Sequence, residues 1–108
     1  MKEQNVQSKI IETLEEAESA YVVNGVYTRS GIPDLIACIP FTKEQALKHF
    51  ETHDTIGVFL GIEVKKPEKW DNTTKLQEYN LGKIQSLGGL SLVAWTKEMV
   101  LEFLKKNR

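Results

Sequence analysis

Val58-Phe59-Leu60-Gly61-Ile62-Glu63-Val64-Lys65 reads as a β-strand, with Val58, Leu60, Ile62 and Val64 on one face and Phe59, Gly61, Glu63 and Lys65 on the other. Lys66-Pro67 follows, and a proline cannot donate to a ladder, so the strand stops there. The alternation makes Glu63 and Lys65 project together. Downstream, a polar loop through Trp70, Asp71 and Asn72 leads to a helix from about Thr74 to Leu87, which Gly88-Gly89 ends. Leu90 to Trp95 then forms another strand, and Thr96 caps a final helix carrying Met99, Val100, Phe103 and Leu104.

Upstream, Asp34 to Ile39 is a mostly buried strand bounded by Pro33 and Pro40. Thr42 caps a helix with Gln45 three residues on, the spacing of a capping box, and Ala46, Leu47 and Phe50 give its apolar side. Tyr21 to Asn24 reads as a strand, Gly25 as a turn and Val26-Tyr27-Thr28 as a second extended piece. Residues 3–18 form an amphipathic helix on Val6, Ile10, Ile11, Leu14 and Ala17, and Glu3 and Gln7 fall on the stripe of Ile10 and Leu14. An acid on an inward face needs a reason. The order α, β, β, β, α, β, α, β, α is that of an α/β protein.

The 108 residues fit one domain spanning residues 1–108, and the 41% hydrophobic and 27% charged shares are those of an ordinary globular chain. No apolar run reaches the roughly 18 residues a bilayer requires, and Met1-Lys2-Glu3-Gln4-Asn5 lacks the apolar core of a signal peptide. An intracellular, cytoplasmic protein with no membrane partner is expected. Cys38, inside an apolar run, is expected as a buried thiol. The net charge of −1 gives no global attraction to nucleic acid, so a binding face has to come from local charge. Glu12, Glu15, Glu16 and Glu18 crowd the first helix, whereas Lys65, Lys66, Lys69, Lys75 and Lys83 follow the central strand. A solvated face accounts for such segregation equally simply.

Asp34 begins its strand and Glu63 lies near the end of its own, so antiparallel pairing of the two strands would bring the carboxylates together. Hard divalent cations such as Mg2+ take oxygen ligands, and the carbonyl of Val64 offers a third. Lys65 beside them can orient an attacking water and offset charge growing on a phosphoryl group. The plainer alternative makes Glu63 and Lys65 a surface ion pair and Asp34 a turn acid after proline.

The combination resembles the VRR-NUC group of the PD-(D/E)XK nuclease superfamily, especially its small stand-alone phage-type members. The resemblance covers most of the chain, from Glu3-Gln4-Asn5-Val6-Gln7 through Ser30-Gly31-Ile32-Pro33-Asp34-Leu35-Ile36 and Ile62-Glu63-Val64-Lys65 to Leu76-Gln77-Glu78-Tyr79 and Gly88-Gly89. It implies a restriction-endonuclease-like core, a mixed β-sheet flanked by α-helices, and endonuclease activity dependent on Mg2+ or Mn2+, with no organic cofactor. Asp34 and Glu63 become metal ligands, Lys65 the catalytic lysine, Glu3 a further acid near the metal and Gln77 a polar residue reaching the site from the following helix. A structural hydrogen bond is the simpler role for Gln77, and a helix's first turn favours Glu3 in any case. The similar proteins imply a homodimer acting on branched DNA such as four-way (Holliday) junctions.

One departure stands out: family members often join the catalytic strands by a short turn, whereas Phe41 to Gly57 here inserts a helix-like segment. His49 and His53, four apart on it, have metal-ligand spacing but read better as exposed helix residues. Trp70 and Tyr79, among lysines, suit stacking on an unpaired base or lining a DNA groove, and core packing or loop anchoring equally. The rival functions are a non-catalytic nucleic-acid-binding or scaffolding domain on the same core, gripping phosphate through Lys65, Lys66, Lys69 and Lys75, and a metal-free protein-interaction module.

Overall fold

The structure is a computed structural model that describes residues 3–25, 30–66 and 73–108, with the side chains of Glu3 and Gln4 outside that description. The expected extended piece Val26-Tyr27-Thr28, the Pro67 strand stop and the Trp70 loop with Lys69 lie outside the described residues. The chain is mixed α/β, in the order α1 (Glu3–Glu16), β1 (Tyr21–Asn24), β2 (Leu35–Cys38), α2 (Lys43–Phe50), β3 (Leu60–Val64), α3 (Lys75–Ser86), β4 (Leu90–Ala94) and α4 (Lys97–Asn107). No helix among the described residues is long and apolar enough to cross a membrane. The chain divides into two compact units, Met1–Val58 and Phe59–Arg108.

In the first unit β1 and β2 pair antiparallel, with Tyr21 opposite Cys38 and Asn24 opposite Leu35. Helix α1 packs on β1, and among its described side chains Gln7, Ile11 and Leu14 are half-buried, at i, i+4 and i+7 on one face. Val6 and Ile10, expected in the same stripe, remain 42% and 44% exposed. The helix is thus rotated toward Gln7 relative to the expected apolar face. Ser19 takes a left-handed φ of 55° in the turn to β1. Ala20 and Cys38 are buried, and burial pushes the Cys38 thiol above its ordinary value. Helix α2 starts as expected: the Thr42 hydroxyl accepts from the Gln45 amide, and the Gln45 side chain accepts from the Thr42 amide.

In the second unit β3 and β4 run parallel, Leu60 opposite Leu90 through Val64 opposite Ala94, and α3 makes the crossover that a parallel pair requires. The ladders among the described strands are β1–β2 and β3–β4, so the antiparallel pair expected between the Asp34 and Glu63 strands is not one of them. That expectation used only the ends of the strands at which the acids sit; it had no information on the partner each strand takes. Helix α3 ends in a Schellman turn, in which Gly88, at φ 94°, donates to the Gln85 carbonyl and Gly89 to that of Ile84.

Candidate active site

Helix α3 lies on the face of β3 that carries Gly61, Glu63 and Lys65. Gly61 permits the approach: a Cβ there would lie 2.7 Å from Ile84 Cδ1 and 3.8 Å from Leu81 Cδ2. Ile84 is 3% exposed, and Ser91, at the register position of Gly61 on β4, is buried and donates from its hydroxyl to the Leu81 carbonyl at 3.1 Å. These contacts seat the C-terminal half of α3. The apolar alternate face of β3 is the barer one, with Ile62 38% and Val64 75% exposed. The covered face of the strand therefore carries the charges, and it needs a polar partner from above.

Gln77 supplies that partner. Its Nε2 donates to Glu63 Oε1 at 2.7 Å, and its Oε1 accepts from Lys65 Nζ at 3.2 Å. Lys65 Nζ stands 3.7 Å from Glu63 Oε1, and the two side chains are only 14% and 29% exposed respectively. The same Gln77 Oε1 accepts from the Thr74 amide at 2.9 Å, while Thr74 Oγ1 accepts from the Gln77 amide at 3.1 Å, which closes a capping box at the start of α3. The amide orientation follows from the partners: its oxygen must meet the ammonium and the Thr74 N–H, so its nitrogen meets the carboxylate. Hydrogen bonds to charged groups are the stronger class, about 1.5–3 kcal/mol each, so the Gln77 bridge fixes both charged side chains in one arrangement.

Glu63 Oε2 has no hydrogen-bond partner among the described residues and remains able to ligate. The ladder bonds from the Leu90 amide to the Phe59 carbonyl and from the Lys65 amide to the Ala94 carbonyl show that odd-numbered β3 residues pair with β4. Hence the Val64 carbonyl points to the other edge. A carboxylate oxygen and a neighbouring backbone carbonyl are hard donors, the type that suits Mg2+ or Mn2+. Among the described residues no three His, Cys, Asp or Glu side chains cluster as a metal site. Of the expected donors, the Val64 carbonyl is not a side chain and the Glu3 carboxylate lies outside the described residues.

Of the residues singled out in the sequence, the structure thus brings together Glu63, Lys65 and Gln77, with the Val64 carbonyl at the adjoining edge. Asp34 is exposed, immediately before β2 in the first unit. Glu3 opens α1 in that unit, on the helical face of Gln7, and its side chain is outside the described residues. His49 proves half-buried and His53 lies beyond α2; their rings stack at 4.1 Å, with His49 Nε2 3.2 Å from the Thr55 carbonyl and His53 Nδ1 2.8 Å from Thr52 Oγ1. Tyr79 is 67% exposed, which excludes core packing for it. Sequence reasoning missed the capping role of Gln77, although Thr74 and Gln77 have the same spacing as Thr42 and Gln45. Compared with family models, with curated proteins and with solved structures, the chain gives no match.

Proposed function

We propose that this chain is a divalent-metal-dependent DNA endonuclease with a restriction-endonuclease-like core, hydrolysing phosphodiester bonds of branched DNA such as four-way junctions. The Gln77 bridge between Glu63 and Lys65 is the observation that carries the reading. A surface ion pair is solvated and needs no third residue, whereas this lysine is largely covered and this carboxylate is held by a helix-borne amide. The arrangement keeps an ammonium and a carboxylate side by side without closing them into a tight pair. Each retains capacity for a further partner.

In this reading Asp34, Glu63, the Val64 carbonyl and Glu3 are the residues that would hold Mg2+ or Mn2+, and the ion would supply Lewis acidity toward the phosphoryl oxygen and toward water. Lys65 contributes a fixed positive charge to the non-bridging oxygens as the phosphorus becomes five-coordinate, and its ammonium donates a hydrogen bond to them. Gln77 keeps Lys65 and Glu63 from collapsing onto one another. The β3–α3–β4 crossover, which sets the charged face of β3 under the start of α3, supports a core of the restriction-endonuclease kind.

Purified protein incubated with four-way junction and with linear duplex, in Mg2+, Mn2+ or EDTA, tests the reading. Junction cleavage that requires metal is expected, falling by about 10²–10³ in Lys65→Ala and to background in Asp34→Ala and Glu63→Ala, with circular dichroism unchanged. Cleavage in EDTA, or full activity in folded Glu63→Ala, contradicts it. Salt-sensitive binding with no turnover in any metal would instead identify a non-catalytic nucleic-acid-binding domain.

A further inference from the structure

Helix α3 covers Glu63 and Lys65 with one face and leaves the opposite face bare. Tyr79 follows Gln77 by two positions, which turns it roughly 200° around the helix. Lys75, Tyr79 and Lys83 succeed one another at four-residue steps, about 6 Å apart along the axis, and so form one slanting row. Tyr79 is 67% and its neighbour Leu76 69% exposed. Neither lysine forms an ion pair among the described residues. Glu78, the nearest acid in sequence, takes its hydrogen bond from the Thr73 hydroxyl at 3.1 Å. Lys75 opens the helix, at the end where the macrodipole favours acids, so the charge balance of α3 gives no reason for it.

Gly82, three residues on from Tyr79, is equally unexplained by the fold. Glycine weakens a helix interior, and here it is exposed, with nothing within 4 Å of where a Cβ would stand. Gly61 and Gly89, by contrast, each yield to Ile84. The missing side chain leaves open backbone beside an exposed ring, where a ligand can approach closely. We propose that this row binds an unpaired stretch of DNA, with Lys75 and Lys83 on phosphates, a base stacked on Tyr79 and the sugar-phosphate chain passing over Gly82. An anionic membrane calls for a broad apolar face beside the lysines, and the apolar side of α3 lies against β3 through Leu81 and Ile84. An acidic peptide brings charge but no flat face for the ring. The row looks away from Glu63, so the nucleotide it holds is not the one cut. The choice of DNA rests on the nuclease reading; the stacking and phosphate contacts do not.

Fluorescence anisotropy of the full chain in EDTA, with a labelled oligothymidylate and an abasic strand of equal length, tests the proposal without cleavage. The wild type should bind the thymidylate about tenfold more tightly than the abasic strand, and Tyr79→Leu should abolish that difference by weakening the thymidylate alone. Lys75→Ala and Lys83→Ala should weaken both probes and each flatten the log–log salt slope by about 0.7. Gly82→Ala should raise the urea midpoint yet weaken the thymidylate, opposite signs that a purely structural role does not produce. Equal wild-type affinity for the two strands, Tyr79→Leu binding like the wild type, or capture by anionic vesicles and by neither strand would each overturn it. Tyr79-dependent binding in a protein that cleaves nothing in any metal would sink the nuclease reading and leave this one standing.

Discussion

Gln77 does what neither an apolar side chain nor a charged one can do at its position. Its amide offers a donor to Glu63 and an acceptor to Lys65 and to the Thr74 amide at once. Glutamate would close the capping box equally well but would set a second negative charge against Glu63. Thr74→Ala should therefore lower stability by about 1 kcal/mol through the lost cap and leave cleavage near the wild-type rate, whereas Gln77→Glu should keep the cap and lose about tenfold or more in rate. Urea melts and initial rates on the two proteins separate the roles. The two-residue spacing of Glu63 and Lys65 was legible in the sequence because the strand alternation sets it. Their cover was not, since Gly61 reveals itself as a seat for Ile84 only once the helix is in place. Cys38 offers a separate check. Burial raises its folded pKa, so its contribution to stability is complete below the unfolded thiol's value of about 8.5 and is lost as pH rises above it, when the unfolded chain ionises first. Urea unfolding from pH 7 upward should show that decline in the wild type and a shallower one in Cys38→Ala.

Helix starts were the most readable elements. Thr42, Thr74 and Thr96 each accept from the amide three residues on; Thr42 and Thr96 were legible as caps, and Thr74 only as the approximate start of its helix. The glycines after α3 were equally clear. What alternation could not say is which face of β3 the helix covers, because hydrophobic pattern names the apolar face and here the polar one is closed by α3. Two close approaches hold that packing. A Cβ on Gly89 would lie 2.8 Å from Ile84 Cγ2 and 3.2 Å from the Ile84 and Phe59 carbonyl oxygens, whereas one on Gly61 meets mainly the tip of Ile84. Carbonyls cannot rotate aside as a side-chain tip can. Gly89→Ala should therefore destabilise more than Gly61→Ala, within the roughly 1–3 kcal/mol typical of overpacking, and Gly61→Ala should reduce cleavage besides, by lifting α3 from Glu63. Denaturant midpoints and rates on both variants decide this.

Across the chain, order of elements was legible and strand partnership was not: local patterns specify strands, but which strands pair depends on crossovers tens of residues long. The antiparallel pair expected for the Asp34 strand illustrates this, since β2 takes β1 and β3 takes β4 in parallel. Charge has the same character. On the proposed nuclease reading, a net charge of −1 would leave DNA affinity to a few local cations such as Lys66 and Lys75, so the log–log slope of binding against salt should be shallow, and Lys66→Ala and Lys75→Ala should each flatten it by about 0.9, as fluorescence anisotropy on a labelled junction would record. The ladder itself leaves a trace in solution. Gly61, Glu63 and Lys65 aim their amide protons at β4, whereas those of Leu60, Ile62 and Val64 aim at the opposite edge. Deuterium uptake resolved by NMR should therefore rise and fall with a period of two along this strand. A slowing confined to the even positions when DNA or another chain is added would report a strand docking there, with no label and no mutation.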